Sequence, residues 1–186
     1  MYRQLIQPVL LLFGLTLLLS GCTPEPDFSN TPQIEYLGID KSERLPSRGG
    51  VGGAERDSIV ITLNYRDGDG DLGLFDQKTK PTKADSILIN SPAYREWGNY
   101  QIKTLRLVNN KFEELKLSEN AVLFFPQLKE GSRGAIEGIL DFRQSFLYSR
   151  SARIVPVKFQ IKIRDRALNE SNVVETDTVW VPILVQ

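Results

Sequence analysis

Histidine is absent from this sequence, and cysteine occurs once, as Cys22. The missing histidine excludes Ser-His-Asp and Cys-His nucleophile systems, and the two scarcities together exclude zinc and copper sites built from His and Cys. A disulfide within the chain is impossible. Any catalysis would therefore depend on carboxylates, Lys, Tyr or Ser, and any metal site would consist of oxygen ligands.

An excess of charge of either sign is also missing. The 186 residues contain 23 Lys+Arg and 23 Asp+Glu, and no long run of one sign is present. This balance gives no electrostatic reason to expect a nucleic-acid partner. The length is sufficient for one domain of ordinary size and a processed N-terminus.

Residues 1–21 have the composition of a secretion signal. Arg3 supplies a positive charge, and the apolar run 9–19 is too short for a bilayer-spanning helix, which needs about 20 residues. The segment ends in Leu19-Ser20-Gly21-Cys22, which resembles the lipobox of bacterial lipoproteins. This resemblance implies cleavage before Cys22, a lipid on its thiol and attachment to the outer membrane, with the periplasmic or surface face left open. The alternative is an ordinary signal peptide followed by a chance cysteine.

Residues 22–32 are expected to form an extended tether between the lipid and a folded domain. They contain three prolines and almost no apolar side chains, which is typical of a spacer. Residues 33–186 are then expected to form a single domain.

The hydrophobic pattern of residues 33–186 has a period of two rather than 3.6. Ser58–Tyr65 and Val155–Ile163 alternate most clearly, Ala121–Phe125 reads as a continuous apolar strand, and a weaker pattern resumes at Ser86–Ile89. A hairpin is expected through Asn109-Asn110, because asparagine tolerates the positive φ of a tight primed turn. No segment is convincing as a helix longer than two turns. These features predict an all-β fold, an antiparallel immunoglobulin-like β-sandwich of about eight or nine strands.

Two acidic turns follow the two clearest strands. Asp67, Asp69 and Asp71 alternate with glycines after the first strand, and Asp165 and Asn169 follow the second. The second and penultimate strands of an immunoglobulin-like sandwich run in the same direction, so both turns are expected at one pole. Calcium takes six to eight oxygen ligands at about 2.3–2.6 Å. We therefore predict a structural calcium site made by these five residues.

The strand spacing and the two turns also resemble immunoglobulin-like, fibronectin III-like and cadherin-like modules of bacterial envelopes. The turn from Asp165 to Asn169 in particular resembles a calcium-contacting turn of cadherin-like domains. The absence of a second cysteine restricts the resemblance to antibody-type domains to their architecture.

The same residues also allow a metal-free interpretation. The first turn departs from an EF-hand loop, with Leu72 where glycine is required and Lys78 where glutamate is required. Asp and Gly are ordinary turn residues. Arg66, Arg164 and Arg166 adjoin the carboxylates in sequence and could neutralise them as an ion-paired cap.

Tyr94, Trp97 and Tyr100 fall in a loop-like stretch. Exposed aromatic rings stack on sugars or anchor protein partners, which makes these three a candidate ligand-binding site. The alternative is that they plug the open end of the sandwich.

Two functional hypotheses follow from these features. The first is a non-enzymatic lipoprotein of the outer envelope, a β-sandwich that acts as a binding or assembly accessory and is stabilised by calcium at its acidic pole. The second is a carbohydrate-binding module or a carboxylate-based glycan-active enzyme at the cell surface, although no spacing of carboxylates marks a catalytic pair. The expected partners are the membrane, through the lipid, and a protein or glycan.

Overall fold

The computed structural model describes residues 26–45, 55–74, 81–115, 122–129 and 134–184. The predicted signal peptide and Cys22 lie outside the described residues. Two short helices, α1 (Lys83–Ile89) and α2 (Pro92–Trp97), occur in the described ranges. Eight strands occur there, in chain order β1 (Gln33–Leu45), β2 (Arg56–Asp67), β3 (Tyr100–Val108), β4 (Lys111–Glu114), β5 (Ile136–Leu147), β6 (Ala152–Ile163), β7 (Val174–Glu175) and β8 (Val179–Leu184).

The strands form two antiparallel sheets. The first has the order β1-β2-β5, and the second has the order β4-β3-β6, with β7 and β8 both pairing with the other side of β6. Across the sandwich, β5 contacts β8 and β1 contacts β7. This connectivity is that of an immunoglobulin-like sandwich whose fourth strand pairs with the third. The prediction of an all-β antiparallel sandwich is therefore confirmed.

The core lies between the inner faces of β2 and β6. Ile59, Ile61 and Leu63 of β2 and Val157 and Phe159 of β6 are fully buried, whereas the residues between them are only half-buried. This alternation fixes which face of each strand packs inward. Full burial of one such side chain contributes roughly 1.5–3 kcal/mol to folding stability. The strands that alternate most clearly in the sequence are therefore the ones whose side chains pack the two sheets together.

Helix α1 replaces the weak strand pattern at Ser86–Ile89, where the prediction was wrong. The helix begins with a capping box, in which Thr82 Oγ1 accepts a hydrogen bond from Asp85 N at 3.1 Å and Asp85 Oδ2 accepts one from Thr82 N at 3.0 Å. A short apolar run fits one helical turn as well as a strand, and the cap decides between them. Within the described ranges, no helix has the length and apolarity needed to cross a membrane.

Of two further predictions, the hairpin turn is confirmed and the strand at 121–125 is not. Asn109 and Asn110 have φ angles of 48° and 63°, so the predicted hairpin turn joins β3 and β4. The apolar run 121–125 does not form a strand in its described part, where Leu123 makes a single backbone bridge to Gly98.

Long connections between strands lie at one end of the sandwich, which we name the acidic pole. It contains residues 67–74 and 81–99, between the end of β2 and the start of β3, and residues 164–173, after the end of β6. The opposite pole contains the Asn109-Asn110 turn and the turn 148–151 between β5 and β6. Strand β1 begins at the acidic pole, where Gln33 pairs with Arg66.

Candidate metal centre at the acidic pole

The two acidic turns meet at the acidic pole. Leu72 and Asp165 form an antiparallel backbone bridge, and the Tyr94 hydroxyl donates a hydrogen bond to the Asp165 carbonyl oxygen at 2.8 Å. Leu72 is fully buried. The expected approach of the two turns therefore occurs, and it is made by backbone pairing over a buried side chain.

Asp67, Asp69 and Asp71 form a compact carboxylate triad. Each offers one carboxylate oxygen, and these three oxygens lie within 4.8 Å of one another. The turn curls because Asp71 N donates to Asp67 Oδ2 at 3.1 Å and because Gly70 has a φ of 68°. A Cβ at Gly70 would lie 2.3 Å from the Gly134 carbonyl oxygen, so this position requires glycine.

The Oδ1 atoms of Asp67, Asp69 and Asp71 are buried and have no hydrogen-bond donor. Asp67 is completely buried, and no ion pair in the described ranges reaches any of the three. Buried polar atoms are normally satisfied, because an unpaired buried charge is strongly unfavourable. Three such oxygens this close together are the kind of ligand set that a hard cation uses.

Burial and the charges of neighbouring carboxylates raise the pKa values of Asp67 and Asp71. Desolvation is the main cause for Asp67, whose pKa rises to about 7, and the charges of Asp69 and Asp71 add to it. Desolvation also raises the pKa of Asp71 to about 6, with the charge of Asp165 as the next cause, while two backbone amides of residues 164–173 oppose the rise. The ionised triad is therefore unfavourable by itself, and a bound cation would favour the ionised form.

Asp165 and Asn169 are engaged with each other rather than with the triad. Asn169 donates from its backbone N to Asp165 Oδ1 and from Nδ2 to Asp165 Oδ2, both at 2.7 Å. Desolvation raises the pKa of Asp165, and these hydrogen bonds oppose the rise. The structure thus brings three of the five predicted ligands together and uses the other two to close the neighbouring turn.

The three arginines beside the acidic turns do not neutralise the triad. Arg66 lies 3.6 Å from Glu137, and Arg166 pairs with Asp85 of α1. Arg164 lies against aromatic rings. The interpretation as an arginine-paired cap is therefore wrong.

The three aromatic residues form an internal plug. Tyr94 and Trp97 are 1% and 4% exposed, and the Arg164 guanidinium lies 3.4 Å from the centroid of the Trp97 ring and 5.4 Å from that of Tyr94. Tyr100 packs on Phe142 with ring centroids 4.7 Å apart. Because Nε and Nη2 of Arg164 have no hydrogen-bond partner, cation–π stacking holds this buried cation. The faces of Tyr94 and Trp97 are not available to a ligand.

A cleft of about 790 Å³ opens beside the triad. It lies between the two acidic turns, α1 and residues 127–129, and its lining includes Asp69, Asp71, Ile87, Lys129, Arg166 and Leu168. The cleft was not predicted from the sequence, because α1 forms one of its walls and the hydrophobic pattern does not indicate a helix there. The capping-box pattern that starts at Thr82 is the signal that could have revealed the helix and hence the cleft.

Comparisons with known proteins were negative. No family model, no curated protein and no solved structure matches the chain. The class is therefore defined by the fold and the turn alone: an antiparallel β-sandwich with an oxygen-only candidate metal centre at one pole.

Proposed function

We propose that this protein is a non-enzymatic lipoprotein of the bacterial outer envelope, whose β-sandwich acts as a binding or assembly accessory and holds a structural calcium ion at its acidic pole. One observation carries the calcium proposal: Asp67, Asp69 and Asp71 each place a carboxylate oxygen within 4.8 Å of the others, and each has a buried Oδ1 without a donor. The motif Leu19-Ser20-Gly21-Cys22 supports the envelope location and the lipid.

Calcium suits the triad better than other common cations. Three carboxylates supply part of the six to eight oxygens that calcium takes, and backbone carbonyls or water can supply the others. Magnesium requires near-ideal octahedral geometry and shorter bonds. Zinc and copper favour nitrogen and sulfur ligands, and the chain has no histidine.

The aromatic plug weighs against the glycan alternative. Tyr94 and Trp97 are the rings that would stack on a sugar, but both are packed around Arg164. Exposing them to a ligand would dismantle the packing of the pole. We therefore assign binding to the acidic turn and its cleft rather than to the aromatic group.

Thermal unfolding of the mature protein in detergent, with millimolar calcium or with a chelator, tests the calcium site. A ligand at about 100 times its dissociation constant stabilises the folded state by about 2.7 kcal/mol, which raises the unfolding midpoint by several degrees. Asp69→Asn should remove this shift, because it removes a charged ligand. Asp40→Asn removes the same charge from an exposed position on β1 and should preserve the shift. A midpoint that is insensitive to calcium in the unchanged protein would refute the site.

A further inference from the structure

The segment that precedes β1 is fastened to the acidic turn. Gly68 N donates a hydrogen bond to the Ser29 carbonyl oxygen at 2.8 Å, and the Arg66 guanidinium lies 5.9 Å from the centroid of the Phe28 ring. The chain passes so close that a Cβ at Gly68 would lie 2.2 Å from the Phe28 carbonyl oxygen. The N-terminal segment therefore leaves the domain beside the triad.

This attachment limits how far the acidic pole can be from the lipid. Six peptide units join Cys22 to Phe28, a length of about 20 Å when fully extended. A strand of 12 residues such as β2 is roughly 40 Å long at about 3.3 Å per residue, and it separates the two poles. A lipid on Cys22 thus keeps the acidic pole next to the bilayer, whereas the turn 148–151 lies at the far end.

The surface presented at this pole combines apolar side chains with an incomplete cation site. Ile87 and Leu168, on the rim of the cleft, are 64% and 41% exposed. Asp69 and Asp71 line the same cleft, and the third carboxylate, that of Asp67, is fully buried with Oδ1 lacking a donor. Three protein oxygens leave several calcium positions open, and lipid phosphates supply hard oxygens of the same type.

The charges at the acidic pole make its attraction to a bilayer depend on a bound cation. Ionised Asp69 and Asp71 repel the phosphates of an anionic bilayer. A divalent ion reverses the local sign, and Lys129 and Arg166 in the cleft lining then add to the attraction. The anchor also raises the effective concentration of headgroups at the pole, so that weak individual contacts are sufficient.

We propose that the acidic pole is a calcium-dependent membrane-docking surface, in which headgroup phosphates complete the coordination of an ion held by Asp67, Asp69 and Asp71 while Ile87 and Leu168 enter the interface. The proposal rests on the proposed function, because it requires both the lipid on Cys22 and the calcium ion. It adds the partner of the site, which is the bilayer that carries the anchor.

Fluorescence quenching by the bilayer tests this docking in the full lipidated protein. Cys22 is the only cysteine, so once its thiol is acylated an introduced cysteine is the only reactive one. Ile87→Cys places a fluorophore at the acidic pole, and Ser149→Cys places the same fluorophore at an exposed position of the opposite pole. Both proteins are reconstituted into phosphatidylethanolamine–phosphatidylglycerol vesicles that contain lipids with a quencher on the acyl chain.

In millimolar calcium, quenching at position 87 should be several-fold greater than at position 149. A chelator should reduce the quenching at position 87 to the level of the control, and Asp69→Asn should do the same in the presence of calcium. Equal quenching at the two positions would overturn the docking orientation. Quenching at position 87 that persists in chelator would overturn the role of the ion.

Failure of the docking proposal can be separated from failure of the function it rests on. The calcium-dependent shift in thermal unfolding is measured on the same labelled proteins, and the mass of the N-terminal peptide reports the acyl chains. A calcium shift and an acylated Cys22 without quenching at position 87 would overturn docking alone. A missing calcium shift or a missing acyl group would overturn the proposed function itself.

Discussion

Asp67 is the last residue of β2, and its side chain is completely enclosed. One carboxylate oxygen accepts the Asp71 amide at 3.1 Å, and the other has no donor. Desolvation and the neighbouring carboxylates raise its pKa from 3.8 to about 7. A carboxyl group whose pKa is higher in the folded than in the unfolded state binds more protons when folded. Without a cation, folding stability therefore falls as the pH rises from about 4 to 7.

The raised pKa values of Asp67 and Asp71, about 7 and about 6, should make unfolding depend on pH, and Asp67 should contribute the larger part. In chelator, the free energy of unfolding should fall by on the order of 2 kcal/mol between pH 5 and pH 8, and calcium should reduce the fall because it favours the ionised triad. Asp67→Asn keeps the shape without the charge, so it should reduce the fall to the smaller part that Asp71 contributes, and it should abolish the effect of calcium. Urea unfolding at both pH values measures these differences. An unchanged profile in Asp67→Asn would assign the effect to other groups.

Helix α2 and strand β6 cooperate in the aromatic plug. Trp97 is the last residue of α2. The guanidinium of Arg164, directly after β6, lies 3.4 Å from the centroid of the Trp97 ring, and Nζ of Lys162, near the end of β6, lies 4.4 Å from it. The helix has only 6 residues, so its stability comes from this packing and from its N-cap, Ser91, rather than from helix propensity.

The two tryptophans of the chain provide a matched test of the plug. Trp97→Ala should lower the free energy of unfolding by roughly 3–5 kcal/mol, because it removes a buried ring and leaves Arg164 without its stacking partner. Trp180→Ala, on the edge strand β8 where the ring is 57% exposed, should change it by much less. Urea unfolding of both variants measures the difference. A Trp97→Ala protein that folds normally but no longer binds a glycan would contradict the plug and restore the glycan hypothesis.

Strands β2 and β6 and the carboxylate triad could be predicted from the sequence. Strands β2 and β6 bury one face each, so their alternation is visible in the sequence, and the triad lies in one short turn whose residues are necessarily close. Helix α1 was missed because seven residues are too few for a clear period. The mutual hydrogen bonds of Asp165 and Asn169 were missed because local bonding of Asx side chains competes with metal coordination, and the sequence does not show which prevails.

The two poles of the sandwich differ in what they contain. The N-terminal segment, both acidic turns and the cleft occupy one pole, while the hairpin turn Asn109-Asn110 and the last residues of β8, which pair with the start of β6, lie toward the other. Among the described residues, Ile34 is the first member of the core.

The anchor can be tested independently of the domain. Protein extracted from membranes should carry acyl chains on an N-terminal Cys22, and Cys22→Ala should carry none while keeping a folded domain that responds to calcium. Mass spectrometry of the N-terminal peptide, together with thermal unfolding, measures both. The Ser149→Cys protein serves as the control, because a cysteine outside the lipobox should remain unmodified. An unacylated Cys22 in the membrane fraction would contradict the lipoprotein assignment.

Strand β2 is the central strand of the first sheet, so both of its edges must find partners during folding. Strand β1 pairs with one edge of β2, and the other edge pairs with β5, which comes much later in the chain and whose Ile136 pairs with Asp67. In a chain exported N-terminus first, that edge stays unpaired while the whole stretch from β3 to β4 emerges. An open strand edge recruits other chains, and pairing between distant segments is slow. If the chain is exported as we propose, this edge of β2 would stay open to other chains until β5 arrives and pairs with it.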